Sequence, residues 1–324
     1  MKYFITGATG FVGNVLAKQL RVAGNEVHAS VRSPEKAKDL QELGIKLFPG
    51  DVTDKESMRA AMQGVDGIFH VAGWYKIGTH DKSGGEKVNI QGTRNVLELM
   101  QELKIPKGVY TSTLAINSDT HGQLVDETYH FTGQHLSEYD RTKAAAHDIA
   151  DKFIVKGLPL VIVMPGMIYG PGDTSTLRTN IIDFLQRKLP MLPTQTTLCW
   201  AHVEDTARGH ILAMEKGKAG ESYIIAGEPY KLADAFKLAS QITGKQASMT
   251  VPYQIMKVLS VLVTPFDSLL PESYTSEGMR IIAGVTYIGD NAKAKRELGY
   301  SPRPLQEGWR DTLMHEMILL GKNH

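Results

Sequence analysis

At 324 residues, 42% of them apolar, the chain is long enough for one large α/β domain with an appended lobe, or for two domains. Its 36 basic and 35 acidic residues are mixed along the chain and leave a formal net charge of +1, which leaves no footprint for nucleic acid or another polyanion. The single cysteine, Cys199, excludes an internal disulfide; with no apolar run near the ~20 residues that span a bilayer and no room for a signal peptide before a strand at residue 2, a cytoplasmic location is expected.

Lys2 to Thr6 reads as a buried strand that runs into Gly7-Ala8-Thr9-Gly10-Phe11-Val12-Gly13. Val12, Val15, Leu16, Leu20 and Val22 then recur at helical spacing. Strand, glycine turn and helix together place backbone N–H groups and a helix N-terminus around a pyrophosphate. Gly7 allows the sharp turn, Gly10 the approach of the phosphates, and Gly13 the close packing of helix on strand. Asn25 to Val31 predicts a second strand with Arg32 at its end. A carboxylate there would bind ribose hydroxyls and repel a 2′-phosphate, whereas an arginine pairs with that phosphate. NADP is therefore favoured over NAD. Ser33-Pro34 predicts a helix with serine as its cap.

A third strand, Ile45 to Phe48, ends in Gly50-Asp51-Val52, and Thr53 with Glu56 predicts a capping box on the next helix. Asp51 is placed to accept from an adenine amino group and Val52 to cover the ring. Gly67 to Gly73 is a fourth strand whose small tip, Val71-Ala72-Gly73, lets a cofactor lie across it. His70 is expected to be packed in the strand, and Asn89 to bond between elements ahead of a helix carrying Val96, Leu97, Met100 and Leu103. Gly108 to Thr113 is a fifth strand ending in hydroxyls, and Leu158 to Met164 a sixth. Alternating strands and helices predict an α/β fold, a doubly wound parallel (Rossmann) sheet with a smaller C-terminal substrate lobe.

Between strands five and six, Tyr139 and Lys143 are four apart, one turn on the same helix face. A phenol holds its proton too tightly for neutral-pH base work, and an ammonium one turn away is expected to lower its pKa. Thr113 is placed to hold a substrate oxygen against Tyr139, making a proton-transfer pair beside a hydride donor.

As an ordered set these pieces resemble the extended short-chain dehydrogenase/reductases, the NAD-dependent epimerase/dehydratase family, and look closest to its dihydroflavonol 4-reductase-like branch. The matching stretches are Thr6 to Gly13, Gly50 to Asp54, His70 to Gly73, Val88-Asn89 with Gly92-Thr93, Thr111 to Thr113, Tyr139 with Lys143, Pro165 with Tyr169 to Gly172, and Ala201 to Asp205; the tail from Asp290 to Tyr300 with Pro302 matches as well. The resemblance implies Tyr139 as acid/base, Lys143 as its activator and ribose ligand, and Thr113 as the orienting hydroxyl. It implies a cofactor held by Gly7, Thr9, Gly10, Phe11, Val12, Gly13, Arg32, Asp51, Val52, Val71, Ala72, Gly73, Ser112, Tyr139 and Lys143, with Pro165 and Ile168 near the nicotinamide carboxamide. His202 and Asp205 are structural in this reading, and no metal site is expected.

Residues 1–165 are expected to bind the dinucleotide, with returns near 198–226, and 166–324 to form mostly the substrate lobe. Arg178, Arg187, Arg208 and Arg280 are the cations available to a nucleotide-sugar diphosphate, but the apolar stretch from Tyr253 to Leu270 suggests a greasy lid or a buried helix and a small apolar substrate. Leu114-Ala115 stand where dehydratases of the group carry an Asp-Glu pair, so dehydration is not expected. The leading expectation is an NADP-dependent oxidoreductase acting on a carbonyl/secondary-alcohol pair. A nucleotide-sugar epimerase with tightly held NAD(P) is the alternative, and a non-reacting dinucleotide sensor is a more distant one. A homodimer through helices near 86–103 and 138–156 is possible in this group; no nucleic-acid partner and no membrane span are expected.

Overall fold

The computed structural model describes residues 1–189, 191–270 and 272–321. Strands and helices alternate through β1 (Lys2–Thr6), α1 (Phe11–Val22), β2 (Glu26–Val31), α2 (Lys38–Glu42), β3 (Lys46–Pro49), α3 (Lys55–Met62), β4 (Gly67–His70), α4 (Thr93–Glu102), β5 (Gly108–Thr111), α5 (Glu138–Val155) and β6 (Leu160–Pro165). A π-helical stretch, Gly85–Gly92, leads into α4. The beat then breaks into β7 (Met167–Tyr169), α6 (Thr176–Leu185), β8 (Met191–Pro193), β9 (Thr197–His202), α7 (Val203–Lys216), β10 (Ser222–Ile225) and β11 (Pro229–Lys231). The remainder runs α8 (Leu232–Thr243), β12 (Met249–Val251), α9 (Tyr253–Leu262), α10 (Ser276–Arg280), β13 (Thr286–Tyr287), α11 (Ala292–Leu298) and α12 (Leu305–Leu319).

Seven parallel strands form the main sheet in the order β10-β6-β5-β4-β1-β2-β3. Its near-continuous apolar strands are buried on both faces, as a parallel sheet requires. Ile5, Val109 and Val161 pack with Leu16 and Leu20 of α1 and Ala213 of α7. Phe4, Ile68 and Ile162 pack with Leu97 of α4 and Ile149 of α5. Neighbouring residues of one strand thus serve opposite layers, the period of two that a strand imposes. Strand order reverses between β1 and β4, where Thr6 pairs with His70, and in open α/β sheets this crevice at the carboxyl ends of the strands is where ligands bind.

The smaller lobe carries a second sheet, β11-β9-β13, with β7 also paired to β9. Its core is aromatic. Trp309 of α12 meets Tyr169, Trp200 and Phe236 at ring-centroid distances of 5.8, 5.5 and 5.5 Å, and Phe184 closes edge-on against Phe236. Cys199 lies buried in β9, where its Sγ accepts from the Gly289 amide at 3.3 Å and donates to the Gly289 carbonyl at 3.5 Å.

Two expected helix starts are made differently. Pro34–Lys36 is only a 3₁₀ turn that Ser33 does not cap, and the helix proper begins at Lys38. The capping box is absent. Thr53 turns its amide and hydroxyl to Asp51 Oδ1, both at 2.8 Å, and Glu56 pairs with Arg59, so α3 starts at Lys55 without a side-chain cap. Local competition by an Asp side chain for the same donors explains the loss. Within the expected return near 198–226, β10 joins the main sheet, hydrogen-bonded beside β6. The apolar stretch after Tyr253 is not a buried helix. Met256 and Ser260 alone of α9 are buried, while Ile255, Val258, Val261 and Leu262 are exposed.

Candidate functional site

The glycine turn sits at the reversal point. Gly7 has φ of +75°, and a Cβ on it would lie 2.7 Å from the Ala72 amide nitrogen; one on Gly13 would lie 2.1 Å from the Gly7 carbonyl oxygen. Only glycine permits this approach of α1 to β1 and β4. Gly10 caps α1 with no side-chain hydrogen bond, and the first turn carries no acidic residue. The opening amides of α1 are thus left without a side-chain acceptor beside a narrow turn, which fits the phosphates of a dinucleotide. Thr9 and Gly10 are exposed, and Phe11 and Val12 partly so. Beneath the turn, Thr6 Oγ1 accepts from the amides of Val71 (3.2 Å) and Ala72 (3.1 Å), which fixes the tip of β4.

Toward the sheet edge, the Arg32 side chain is 81% exposed, its Nε 4.0 Å from Asp51 Oδ2. Val52 is buried against Gly92, and its carbonyl accepts from Asn95 Nδ2 at 2.8 Å. Gly73 lies next to Asn89, whose carboxamide accepts from the Trp74 amide (2.7 Å) and donates to the Trp74 carbonyl (2.9 Å) and Thr142 (3.0 Å). Asn89 thereby joins the β4 tip to α5.

The chemistry-bearing groups meet at the ends of β5 and α5. Ser137 caps α5, accepting from the Asp140 amide at 3.1 Å and donating to Asp140 Oδ1 at 2.7 Å, which fixes the turn bearing Tyr139. The Thr113 side chain lies close enough to the Tyr139 hydroxyl to act on its titration, and Thr113 Oγ1 accepts from the Ala115 amide at 3.2 Å. Lys143 lies on the same helix one turn later, but its ammonium is aimed at β5. Nζ donates to the Thr111 carbonyl at 2.7 Å and to the Tyr110 hydroxyl at 3.3 Å, and stands 4.8 Å from the centre of the Tyr110 ring.

The expected lowering of the phenol pKa is therefore corrected. Burial pushes Tyr139 up to about 12, with the Thr113 side chain acting in the opposite direction. Burial also pulls Lys143 down to about 7, and among the described residues no acidic side chain pairs with it to offset this.

Other expected residues fall in different places. Ser112 turns its hydroxyl inward to His147 Nδ1 at 2.7 Å. Pro165 ends β6 opposite Ile225, and Ile168 is partly exposed on β7 opposite Ala201. His202 is buried edge-on to Tyr169 and caps α7, while Asp205 holds Arg303 at 2.9 Å. Arg178 is committed to Glu316, with Nε at 2.7 Å and Nη2 at 3.1 Å, and Arg208 lies 3.7 Å from Glu215. Among the described residues no group of three His, Cys, Asp or Glu is placed to hold a metal.

Sequence reasoning passed over Thr93 and Tyr110 and took His70 for simple packing. His70 bonds Thr6 through Nδ1 (2.8 Å) and Thr93 through Nε2 (3.0 Å), and Thr93 lies close enough to the Tyr110 hydroxyl to act on its titration. Nothing in the local sequence signals the line, since bonded neighbours in it lie up to 64 residues apart.

With this geometry, the profile of the NAD dependent epimerase/dehydratase family matches residues 3–226. The chain belongs to that family. It is thus an extended short-chain dehydrogenase/reductase, with relatives named as reductases. A Synechocystis protein that bears the dihydroflavonol 4-reductase name provisionally is 32% identical, over 96% of this chain and 93% of its own. A 4-hydroxy-2-methyl-3-oxo-4-farnesyl-3,4-dihydroquinoline-1-oxide ketoreductase of Stigmatella aurantiaca is 29% identical, over 97% and 96%. Among solved structures, gox2253 superposes with a TM-score of 0.86 at 31% identity, covering 99% of each chain. The UDP-glucose 4-epimerase of Thermotoga maritima superposes at 0.79 with 20% identity, over 99% of this chain and 100% of its own, which shows the shared fold. Among the described residues no helix is long and apolar enough to cross a membrane.

Proposed function

We propose that this family member is an NADP-dependent reductase of a ketone, or the dehydrogenase of the matching secondary alcohol. The observation that carries the reading is the placement of the Thr113 hydroxyl beside the buried Tyr139 phenol, with Lys143 one turn behind. NADP, when bound, supplies or receives the hydride. The amides that open α1 hold the pyrophosphate, Asp51 and Val52 the adenine, and Arg32, exposed at the end of β2, the 2′-phosphate. The tip Val71-Ala72-Gly73 with Ser112, Pro165 and Ile168 lines the path toward the nicotinamide.

Thr113 and Tyr139 together receive the substrate oxygen. As negative charge builds on it, Tyr139 gives its proton. With its pKa near about 12, the phenol is fully protonated at neutral pH, the form that reduction needs. Charge on Lys143 steadies the phenolate left behind. Because Lys143 titrates near about 7, that help fades as pH rises through neutrality, so reduction should fall on the alkaline side.

The substrate we infer is apolar. The Stigmatella relative is named for a farnesyl-bearing substrate, α9 presents an apolar surface, and Arg178 and Arg208 already have acidic partners. In this reading residues 1–165, with returns near 198–226, serve the cofactor, the remainder serves the substrate, and copies pair through the helices near 86–103 and 138–156.

The likeness to UDP-glucose 4-epimerase supports a second reading, an epimerase that keeps its cofactor and ends redox-neutral. An NADPH-oxidation assay over hydrophobic ketones, with UDP-sugars in parallel, separates the two. Stoichiometric NADPH loss supports the reductase. Protein that purifies with oxidised NAD and interconverts a UDP-sugar without net redox change overturns it. A monomer in sedimentation at micromolar concentration would remove the dimer.

A further inference from the structure

We propose that Tyr110 is a positioning residue for Lys143, keyed through Thr93 and His70 to the floor of the glycine turn. The inference rests on the roles given above to Tyr139 and Lys143. Five side chains, Thr6, His70, Thr93, Tyr110 and Lys143, form one line through β1, β4, α4, β5 and α5, each no more than 5% exposed. Thr6 with His70, His70 with Thr93 and Tyr110 with Lys143 are hydrogen-bonded, and Thr93 lies close enough to the Tyr110 hydroxyl to act on its titration.

The direction of the bonds can be worked out from one end. A hydroxyl oxygen has two lone pairs and one proton. Both lone pairs of Thr6 are taken by the amides of Val71 and Ala72. Thr6 therefore gives its proton to His70 Nδ1. That leaves His70 as the neutral tautomer protonated at Nε2, which donates to Thr93. Burial and the Lys143 charge pull His70 down to about 3, so the ring stays neutral throughout the working range. At the other end, Lys143 has only donors, so Tyr110 must accept from it and can give its own proton to Thr93. The ring of Tyr110 stacks on the His70 ring, 5.5 Å away at 27°, and the ammonium stands 4.8 Å from its centre.

The consequence is mechanical and electrostatic. Among the described residues Lys143 is a buried cation with no carboxylate partner. The Thr111 carbonyl and the Tyr110 hydroxyl are its two hydrogen-bond acceptors, and both belong to β5. The Tyr110 contact is fixed by the same two amides that set the tip of β4 under the glycine turn. The line thus keeps the ammonium in register with the nucleotide end of the sheet and holds part of it in the charged state.

The test uses full-length protein labelled with ¹⁵N-lysine and ¹⁵N-histidine, without nucleotide. The Lys143 Nζ signal is assigned by its loss in Lys143→Met. In Tyr110→Phe, which keeps the ring and removes the hydroxyl, the Lys143 midpoint should fall by about one unit, as expected for one lost hydrogen bond to a charge. In Thr93→Val the shift should have the same sign and be smaller. His70 should show a protonated Nε2 and a bare Nδ1 from pH 5 to 9. An unmoved Lys143 midpoint in either variant that folds, or the opposite His70 tautomer, overturns the proposal.

A kinetic arm follows. In alcohol oxidation Tyr110→Phe should shift the rising limb of the pH profile toward higher pH and leave NADP+ binding within about threefold, since among the described residues the hydroxyl faces the lysine and Thr93. A merely structural tyrosine would lower the amount of folded protein and leave the profile in place. If the wild-type protein turns over no carbonyl or alcohol, the functional reading fails while the titration still decides the positioning claim.

Discussion

Two buried regions of this molecule are built from opposite materials. Under Lys143 the interior is polar, with Thr6, His70, Thr93 and Tyr110 spending their capacity on one another. In the smaller lobe it is aromatic, with Trp309, Tyr169, Trp200, Phe236 and Phe184 in ring contact. Burying an aromatic ring stabilises by area and asks for little orientation. Burying a polar line gains little net stability but fixes direction. The first should therefore answer to substitution mainly through turnover and titration, the second mainly through unfolding.

The comparison is tested hardest at Tyr139. Tyr139→Phe removes the proton donor and keeps the ring, and turnover should fall by roughly 10²–10⁴-fold with NADPH affinity retained, measured by stopped-flow and fluorescence titration. Unchanged turnover would end the proposed chemistry. At the other pole, Trp309→Ala should cost about 3–5 kcal/mol in urea unfolding, with cofactor binding intact in whatever protein remains folded. Loss of activity without loss of stability would show that the aromatic cluster shapes the site as well.

Lys143→Met sharpens the contrast because it should separate the two readouts. Activity should collapse while the nucleotide-free protein becomes more stable below pH 7, by on the order of 2 kcal/mol, since a buried ammonium is removed. The folded midpoint lies below the unfolded one, so between about 7 and 10.5 the unfolded chain binds more protons and wild-type stability rises with pH. The advantage of Met should thus shrink over that window in urea titrations at several pH values. Arg32→Ala lies outside both regions and should be the mildest. NADPH affinity should drop about tenfold, with NADH affinity and stability little changed, by isothermal titration. Equal loss for both nucleotides would remove the 2′-phosphate role.

Much of the frame was legible because it rests on local rules. Gly7 and Gly13 announce a backbone that tolerates no Cβ, and the structure puts neighbouring backbone where each Cβ would be. Tyr139 and Lys143 share a helix face by spacing alone, but the aim of the ammonium does not follow from spacing. The acceptors Thr111 and Tyr110 come from another strand and outcompete the phenol. Thr53 and Glu56 failed as a capping box because Asp51, two residues upstream, took the donors. The line through His70 was invisible for a related reason: a histidine, a threonine and a tyrosine at positions 70, 93 and 110 make no motif until three elements are stacked. The exposure of α9 also depends on what the rest of the lobe leaves uncovered, which an apolar run does not reveal.

The single cysteine of the chain has a practical consequence. Burial pushes the Cys199 thiol up to about 11, and both of its hydrogen bonds go to one glycine. At neutral pH only about one molecule in 10⁴ carries the reactive thiolate there, so alkylating reagents should pass it by while the protein is folded. A cysteine engineered onto the apolar face of α9 would then be the single labelled position, and a polarity-sensitive dye on it would report directly what that surface meets.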